Sequence, residues 1–347
     1  MTLRGTIVIH KQHPLARNSK HFAITPCLQE LICFIGMQHT YGASCKIFEK
    51  LLGLNVTAKQ IERVCTFYGK KLYEIQSAKG IPYAKSSKKA DVLYVLVDGS
   101  FVPIRNTSLQ KNDMDFVKGK DSWKEVKLAR LIEGRHIVKG VSNNRNYVSH
   151  SDYLAHLGNR KPFLEQLRQS IDNRKFDKIV FLGDGAKWIW NWVVDTFPQS
   201  TQILDFFHAM EHISDHSKVF FQEEQTRKDW VELQQSRLFC DQVEEVLEEL
   251  ETELVTNQQP KVAWESLNKL KAYVNENKNR MRYKTYKKQG LEIGSGAIES
   301  AHRTIIQQRA KLSGQRWTME GVQSILSLRS MYHSGRWEEL LILIKGN

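Results

Sequence analysis

Lys178-Ile-Val-Phe-Leu-Gly-Asp184-Gly-Ala186 decides the fold: a short apolar run closed by aspartate and glycine reads as a buried strand ending in a turn. Upstream, Tyr94-Val-Leu-Val-Asp98-Gly-Ser100 has the same form. Neighbouring strands lie about 4.8 Å apart, so two such runs side by side bring two carboxylates together at one sheet edge. Asp-Gly after a strand is by itself an ordinary turn, and its meaning depends on its partners.

Working outward from these runs, the pattern predicts strands over Leu93–Val97, Trp123–Ile132 and His136–Val141, then a helix over Tyr153–Ile171. The strand Ile179–Leu182, a Trp-rich helix Lys187–Phe197 stopped by Pro198, and a fifth strand Gln202–Phe207 follow. The tryptophans at 188, 190 and 192 point to different faces and read as core and cover. Three strands at hairpin spacing and two with helical crossovers predict a mixed five-stranded α/β sheet flanked by helices.

Ahead of the sheet, residues 1 to about 25 are irregular and basic. Leu28, Leu31, Ile32 and Ile35 then recur at helical spacing, with Gly36 as a stop. Cys45, Phe48, Leu51 and Leu52 give a second helix ending at Gly53. Thr57-Ala-Lys-Gln60 reads as a capping box opening a third through Ile61, Val64 and Cys65. Helix, glycine-containing turn and capped helix form the helix-turn-helix pattern, with Lys59, Gln60 and Arg63 on the candidate recognition face. Plain helix packing gives the same pattern, so the local charge matters. Residues 1–90 hold 14 Lys+Arg against 4 Asp+Glu, a charge of +10 out of +13 for the chain. Ala84–Ala90, rich in lysine and serine, reads as a solvated linker.

Beyond the sheet, His208 to about Lys284 is helical and amphipathic, too long for a loop, and reads as an all-α insertion. Its acidic run Asp241–Glu253 reads as a solvated face. The stretch 271–290 is basic, with seven Lys+Arg against Glu276. After the glycine-rich turn Gly290–Gly296, a long helix opens at Ala297-Ile-Glu299-Ser-Ala-His302-Arg303 and runs through Arg309 and Lys311. A last helix holds Val322, Ile325, Leu326 and Leu328. The expected divisions are therefore a basic helical region 1–90, a core 91–207, the insertion 208–289 and C-terminal helices 290–347.

The 347 residues suffice for a sizeable core, and a pI near 9.4 fits a partner that is a polyanion. Five cysteines without a C-x-x-C pair exclude a zinc ribbon and a disulfide framework. With neither a leader-like start nor an apolar run long enough for a membrane, a soluble cytoplasmic protein is expected.

Two carboxylates at adjacent strand ends can share divalent cations, and Glu299 can supply the third acidic ligand. Such a hard oxygen site suits Mg²⁺ or Mn²⁺, which activates water or a 3′ hydroxyl and stabilises the leaving oxygen of a phosphodiester. Asp205 ends its strand in the same way and competes for a ligand role. A rival reading comes from His208-Ala-Met-Glu211-His212, an H-x-x-E-H pattern that with His216 spaces three histidines along one helix and points to a zinc hydrolase. It leaves Asp98, Asp184 and the basic stretches unexplained. Trp317, flanked by Lys311 and Arg316, could stack on a base or pack on the sheet.

Val97-Asp98-Gly-Ser, Trp123-Lys-Glu-Val-Lys127, Phe181-Leu-Gly-Asp184-Gly-Ala-Lys-Trp-Ile-Trp190, Ile203-Leu-Asp205-Phe-Phe-His208-Ala, Gly294-Ser-Gly-Ala-Ile-Glu299-Ser and Arg309–Trp317 resemble the blocks of bacterial insertion-sequence transposases of the ISKra type, similar in turn to the Mutator-like group. The resemblance spans about Thr25 to the C-terminus. It implies a ribonuclease-H-like catalytic core with a helical insertion before the last acidic residue, and a DDE triad of Asp98, Asp184 and Glu299 holding metal. It also implies an accessory Asp205-x-x-His208 element. Partners implied are double-stranded DNA, as terminal inverted repeats and target, gripped by a homo-oligomer near the bacterial nucleoid, with Lys59, Gln60, Arg63, Arg303, Arg309, Lys311, Arg316 and Trp317 as DNA contacts. The family's cysteine-containing segment before the helix-turn-helix has no counterpart in residues 1–25, which implies a truncated start and leaves open a catalytically inactive DNA-binding derivative.

Overall fold

The apolar run before Asp184 forms the strand it predicts, and its echo before Asp98 lies beside it. In the computed structural model, which describes residues 21–22, 24–82, 89–105, 122–140, 146–256, 260–294 and 296–346, β1 spans Ala90–Ile104, β2 Ser122–Glu133, and β3 and β4 the short pair Ile137–Val138 and Tyr147–Val148. β5 spans Asp152–Leu157, β6 Phe176–Gly183 and β7 Thr201–Leu204. The sheet order is β5-β2-β1-β6-β7. β1 is antiparallel to β2 and parallel to β6, β5 is antiparallel to β2, and β7 is parallel to β6. It is thus a mixed five-stranded sheet flanked by helices.

Two sequence expectations are corrected here. The third sheet strand is β5, not His136–Val141, of which, among the described residues, only Ile137–Val138 is strand, in a separate pair with β4. Tyr153 through Leu157 are all buried, pairing with β2 at their edge and covered by helices, so they cannot be the amphipathic start of a helix. The helix α4 begins at Arg160, after Gly158 at φ 101° and Asn159, whose side chain accepts from the Lys161 N–H. Second, Asp98-Gly99 is no turn. β1 continues to Ile104 because β2 goes on pairing with it after β6 has ended.

The N-terminal helices are α1 Pro26–Gln38, α2 Tyr41–Leu52 and α3 Ala58–Lys79. Thr25, Thr40 and Thr57 cap them, and Thr57 with Gln60 forms the predicted capping box. Gly36 does not stop α1. It lies inside the helix, where glycine is needed because a Cβ would fall 2.6 Å from Cys65 Sγ. The proposed linker 84–90 lies outside the described residues except for Lys89 and Ala90, as do residues 1–20.

After β6 come α5 Lys187–Thr196, then β7, then α6 Phe206–Phe220, α7 Glu224–Phe239, α8 Val243–Thr256, α9 Lys261–Asn277 and α10 Tyr283–Lys288. The acidic run on α8 is largely paired: Glu244 with Arg282, Glu249 with Arg237, and Glu251 with Lys271 at 3.1 Å. The long C-terminal helix is interrupted. α11 Gly296–Ala301 passes into a π-helical segment, His302–Gln307, before α12 Gln308–Ala310. α13 Met319–His333 and α14 Trp337–Lys345 close the fold. α13 packs against both α3 and β5, so head and sheet share one core.

Candidate active site

Val97 pairs with Gly183 across the parallel strands, which sets Asp98 and Asp184 level with one another. Each is half-buried. Asp184 Oδ1 accepts from the Ala186 N–H at 3.0 Å, and its carbonyl accepts from the buried Trp190 indole at 2.8 Å. Gly185 is required because a Cβ there would meet the ring of Tyr273, from α9, at 2.4 Å. Asp98 Oδ1 accepts from the Gly99 N–H at 2.6 Å, and Oδ2 lies 3.0 Å from His302 Nε2.

The two carboxyls are driven apart. Burial raises Asp98, but the imidazoles of His302 and His208 and the Gly99 N–H outweigh it and hold the carboxyl below its ordinary value. Asp184 is raised, first by burial and then by Asp98 and Glu125, against the Ala186 N–H and His208. Glu125, on β2, is held by Lys127 at 2.6 Å.

Asp205 is buried and caps α6, accepting from the His208 N–H at 2.9 Å. That cap fixes His208, whose Nδ1 lies 3.2 Å from Glu211. His212 lies beside His208, their ring centroids 5.0 Å apart, while His216 turns inward. His212 stacks on Tyr273 at 4.0 Å, and His216 is buried on Ser266, Phe220 and Trp230, with burial lowering it to about 4. His208 and His212 thus stay together, and it is His216 that belongs to the core.

Glu299 is exposed on α11. From that helix it is His302, one turn later, that reaches Asp98. Among the described residues no three His, Cys, Asp or Glu side chains are gathered to hold a metal. The donor chemistry of Asp98 and Asp184, two adjacent carboxylates whose mutual repulsion a cation would relieve, fits Mg²⁺ or Mn²⁺. The third ligand is not closed onto the pair. Arg130 ties β2 to α11, donating to the Ala297 carbonyl, and also donates to Ser151 Oγ at 2.8 Å.

Of the expected DNA contacts, Arg303, Lys311 and Arg316 are exposed, with Lys311 Nζ 2.6 Å from Ser100 Oγ. Lys59 is exposed and paired with Glu62 at 2.8 Å. Gln60 is engaged by its own cap, accepting from the Thr57 N–H at 2.9 Å, and Arg63 lies 5.9 Å from the Phe22 ring. Arg309 and Trp317 are both packed into the fold. Arg309 is 1% exposed, sandwiched between Tyr41 and Trp317 and donating to the Gly36 carbonyl at 3.1 Å; Trp317 is 7% exposed and bridges β1 through Arg105. His302, Glu125 and Tyr273 were missed, although His302 stands three residues after Glu299 and Glu125 lies inside the block Trp123–Lys127.

Fold and site together define an α/β protein whose mixed sheet presents paired aspartates where β6 ends. The chain belongs to the uncharacterised protein family UPF0236, whose model matches residues 19–340. No curated protein matches it. Among solved structures it is similar to the Drosophila P element transposase strand transfer complex, at 9% identity and TM-score 0.33, covering 96% of this chain and 83% of that one. Among the described residues, no helix is long and apolar enough to cross a membrane.

Proposed function

We propose that this chain is a metal-dependent DNA transposase of the DDE type, with a ribonuclease-H-like core and the sequence blocks of the ISKra group. The observation that carries the reading is the levelling of Asp98 and Asp184 on adjacent parallel strands, β1 and β6, at the centre of the sheet. Asp98 and Asp184 would hold Mg²⁺ or Mn²⁺, with Glu299 brought in from α11. Such an ion, when bound, supplies an activated water or 3′ hydroxyl and neutralises the leaving oxygen. The chain's own residues set the stage: Trp190 and the Ala186 N–H fix Asp184, while His302 and the Gly99 N–H keep Asp98 ionised. Duplex DNA, as terminal repeats and target, is the substrate proposed.

A second reading is a transposase-derived DNA-binding protein without cleavage, favoured by the exposed Glu299 standing apart from the pair. One experiment separates them. Asp184→Asn should bind duplex DNA as the parent does and lose Mg²⁺-dependent nicking, by at least about a hundredfold. Nicking at the parental rate in the variant would overturn the site. A parent chain that binds duplex but never nicks it would favour the second reading.

A further inference from the structure

We propose that a concavity remote from the aspartates is a cradle for a backbone phosphate of duplex DNA; this rests on the DNA reading above. The cavity, about 440 Å³, is lined by Lys59, Arg105, Arg309, Arg316, Tyr41 and Glu62. They come from the starts of α2 and α3, the end of β1, α12 and the segment between α12 and α13, where Trp317 bridges to β1. The Arg105 N–H donates to the Trp317 carbonyl at 2.8 Å, and the Trp317 N–H to Pro103 at 3.3 Å. Four basic side chains face one carboxylate, and Glu62 is itself paired with Lys59.

Two buried polar atoms on the wall have no hydrogen-bond partner, Arg309 Nη2 and Tyr41 Oη. Burying a guanidinium without a full set of acceptors is costly, and stacking between Tyr41 and Trp317 at 4.9 and 4.7 Å offsets only part of it. An anion seated here would supply the missing acceptor. The site lies along the strand that carries Asp98. From Asp98 to Arg105, β1 rises at most about 23 Å, roughly the length of seven base pairs. A duplex meeting both would place the cradled phosphate about seven nucleotides from the reacting one.

The full-length double variant Lys59→Ala, Arg105→Ala, both positions exposed, is compared with the parent on a labelled mixed-sequence duplex, by anisotropy across a salt series. Lys218→Ala, Lys228→Ala on α6 and α7 carries the same charge change and serves as control. The cradle variant should bind about tenfold more weakly, with the salt slope shallower by roughly one, since each phosphate contact adds about 0.9. The control should match the parent. A cradle variant with the parental slope and affinity, or a control that loses as much, overturns the cradle while leaving the DNA reading standing. A parent chain that does not bind duplex at all overturns both. Stabilisation by inorganic phosphate that the cradle variant loses, with duplex binding unchanged, also overturns the assignment to DNA.

Discussion

Asp98 and Asp184 sit at the same level of the sheet, yet their carboxyls are pushed in opposite directions, and the difference lies in their neighbours. His302 and His208 outweigh burial at Asp98, whereas Asp184 has burial, Asp98 and Glu125 all acting to raise it. The same like-charge physics acts away from the site at Glu253 on α8. There burial, then Glu249, raise the carboxyl to about 7, and one of its oxygens is buried without a partner. Below the ordinary carboxylate range Glu253 is protonated in both folded and unfolded chains and contributes no pH dependence. As the pH rises towards 7 the unfolded chain releases the proton that the folded chain keeps, so folding weakens, and above 7 the full cost remains. Glu253→Gln should therefore stabilise the chain at pH 8 by roughly 1 kcal/mol, reduced from the buried value by solvent screening, and leave it unchanged at pH 4. Thermal melts at the two pH values check it. An equal shift at both would show that packing, not ionisation, is responsible.

At the scale of elements, the helix that brings His302 to Asp98 is held in an unusual form by a buried arginine. π-Winding of His302–Gln307 leaves carbonyls without their helical partners, and Arg329 on α13 takes two of them, Nε donating to Thr304 and Ile305, each at 3.1 Å, while Nη1 donates to the Met37 carbonyl near the end of α1 at 2.7 Å. Arg329→Met should cost at least about 3 kcal/mol by stranding three buried carbonyls. Denaturant unfolding reads the loss; a variant within 1 kcal/mol of the parent, by about the worth of a single hydrogen bond, would mean the carbonyls find other donors. None of this was legible in the sequence, where Arg329 sits in an apolar period and Arg309 in a basic run. Local pattern carried the rest well: the strands at Leu93 and Ile179, the Thr57 capping box and the run of helices after His208 all follow from periodicity and caps. It failed at Tyr153–Leu157, where a strand buried by tertiary packing loses the alternation that marks a strand. It also failed at Gly99, where an antiparallel partner outside the reading window carries the strand on. Asp98 and Asp184 stand out in the sequence because both follow apolar runs; His302 meets Asp98 only through the fold.

Taken whole, the molecule has no seam between its N-terminal helices and its sheet, despite the charge contrast between those parts of the sequence. Tyr68 and Leu72 of α3 are buried in the same core as Ile325 and Leu328 of α13, and Gly69 lets the helices approach so closely that a Cβ there would lie 2.3 Å from the Ser324 carbonyl. Arg309 and Arg329 both reach across to α1, at the Gly36 and Met37 carbonyls, and the Trp337 indole donates to Glu30 at 3.0 Å. Removing residues 1–89 would strip both guanidinium groups of these acceptors and bare the apolar face of α13. Two effects then add: loss of hydrogen bonds to charged groups, at about 1.5–3 kcal/mol each, and exposure of side chains worth about 1.5–3 kcal/mol apiece. Together these approach the whole stability of an ordinary domain, about 5–15 kcal/mol. The segment 90–347 made alone should therefore aggregate or lack a cooperative melt, while the full chain unfolds in one transition followed alike by circular dichroism and tryptophan fluorescence. A soluble 90–347 segment with a sharp melt would mean the head is a separable attachment, and its basic face would then have no fixed register with the paired aspartates.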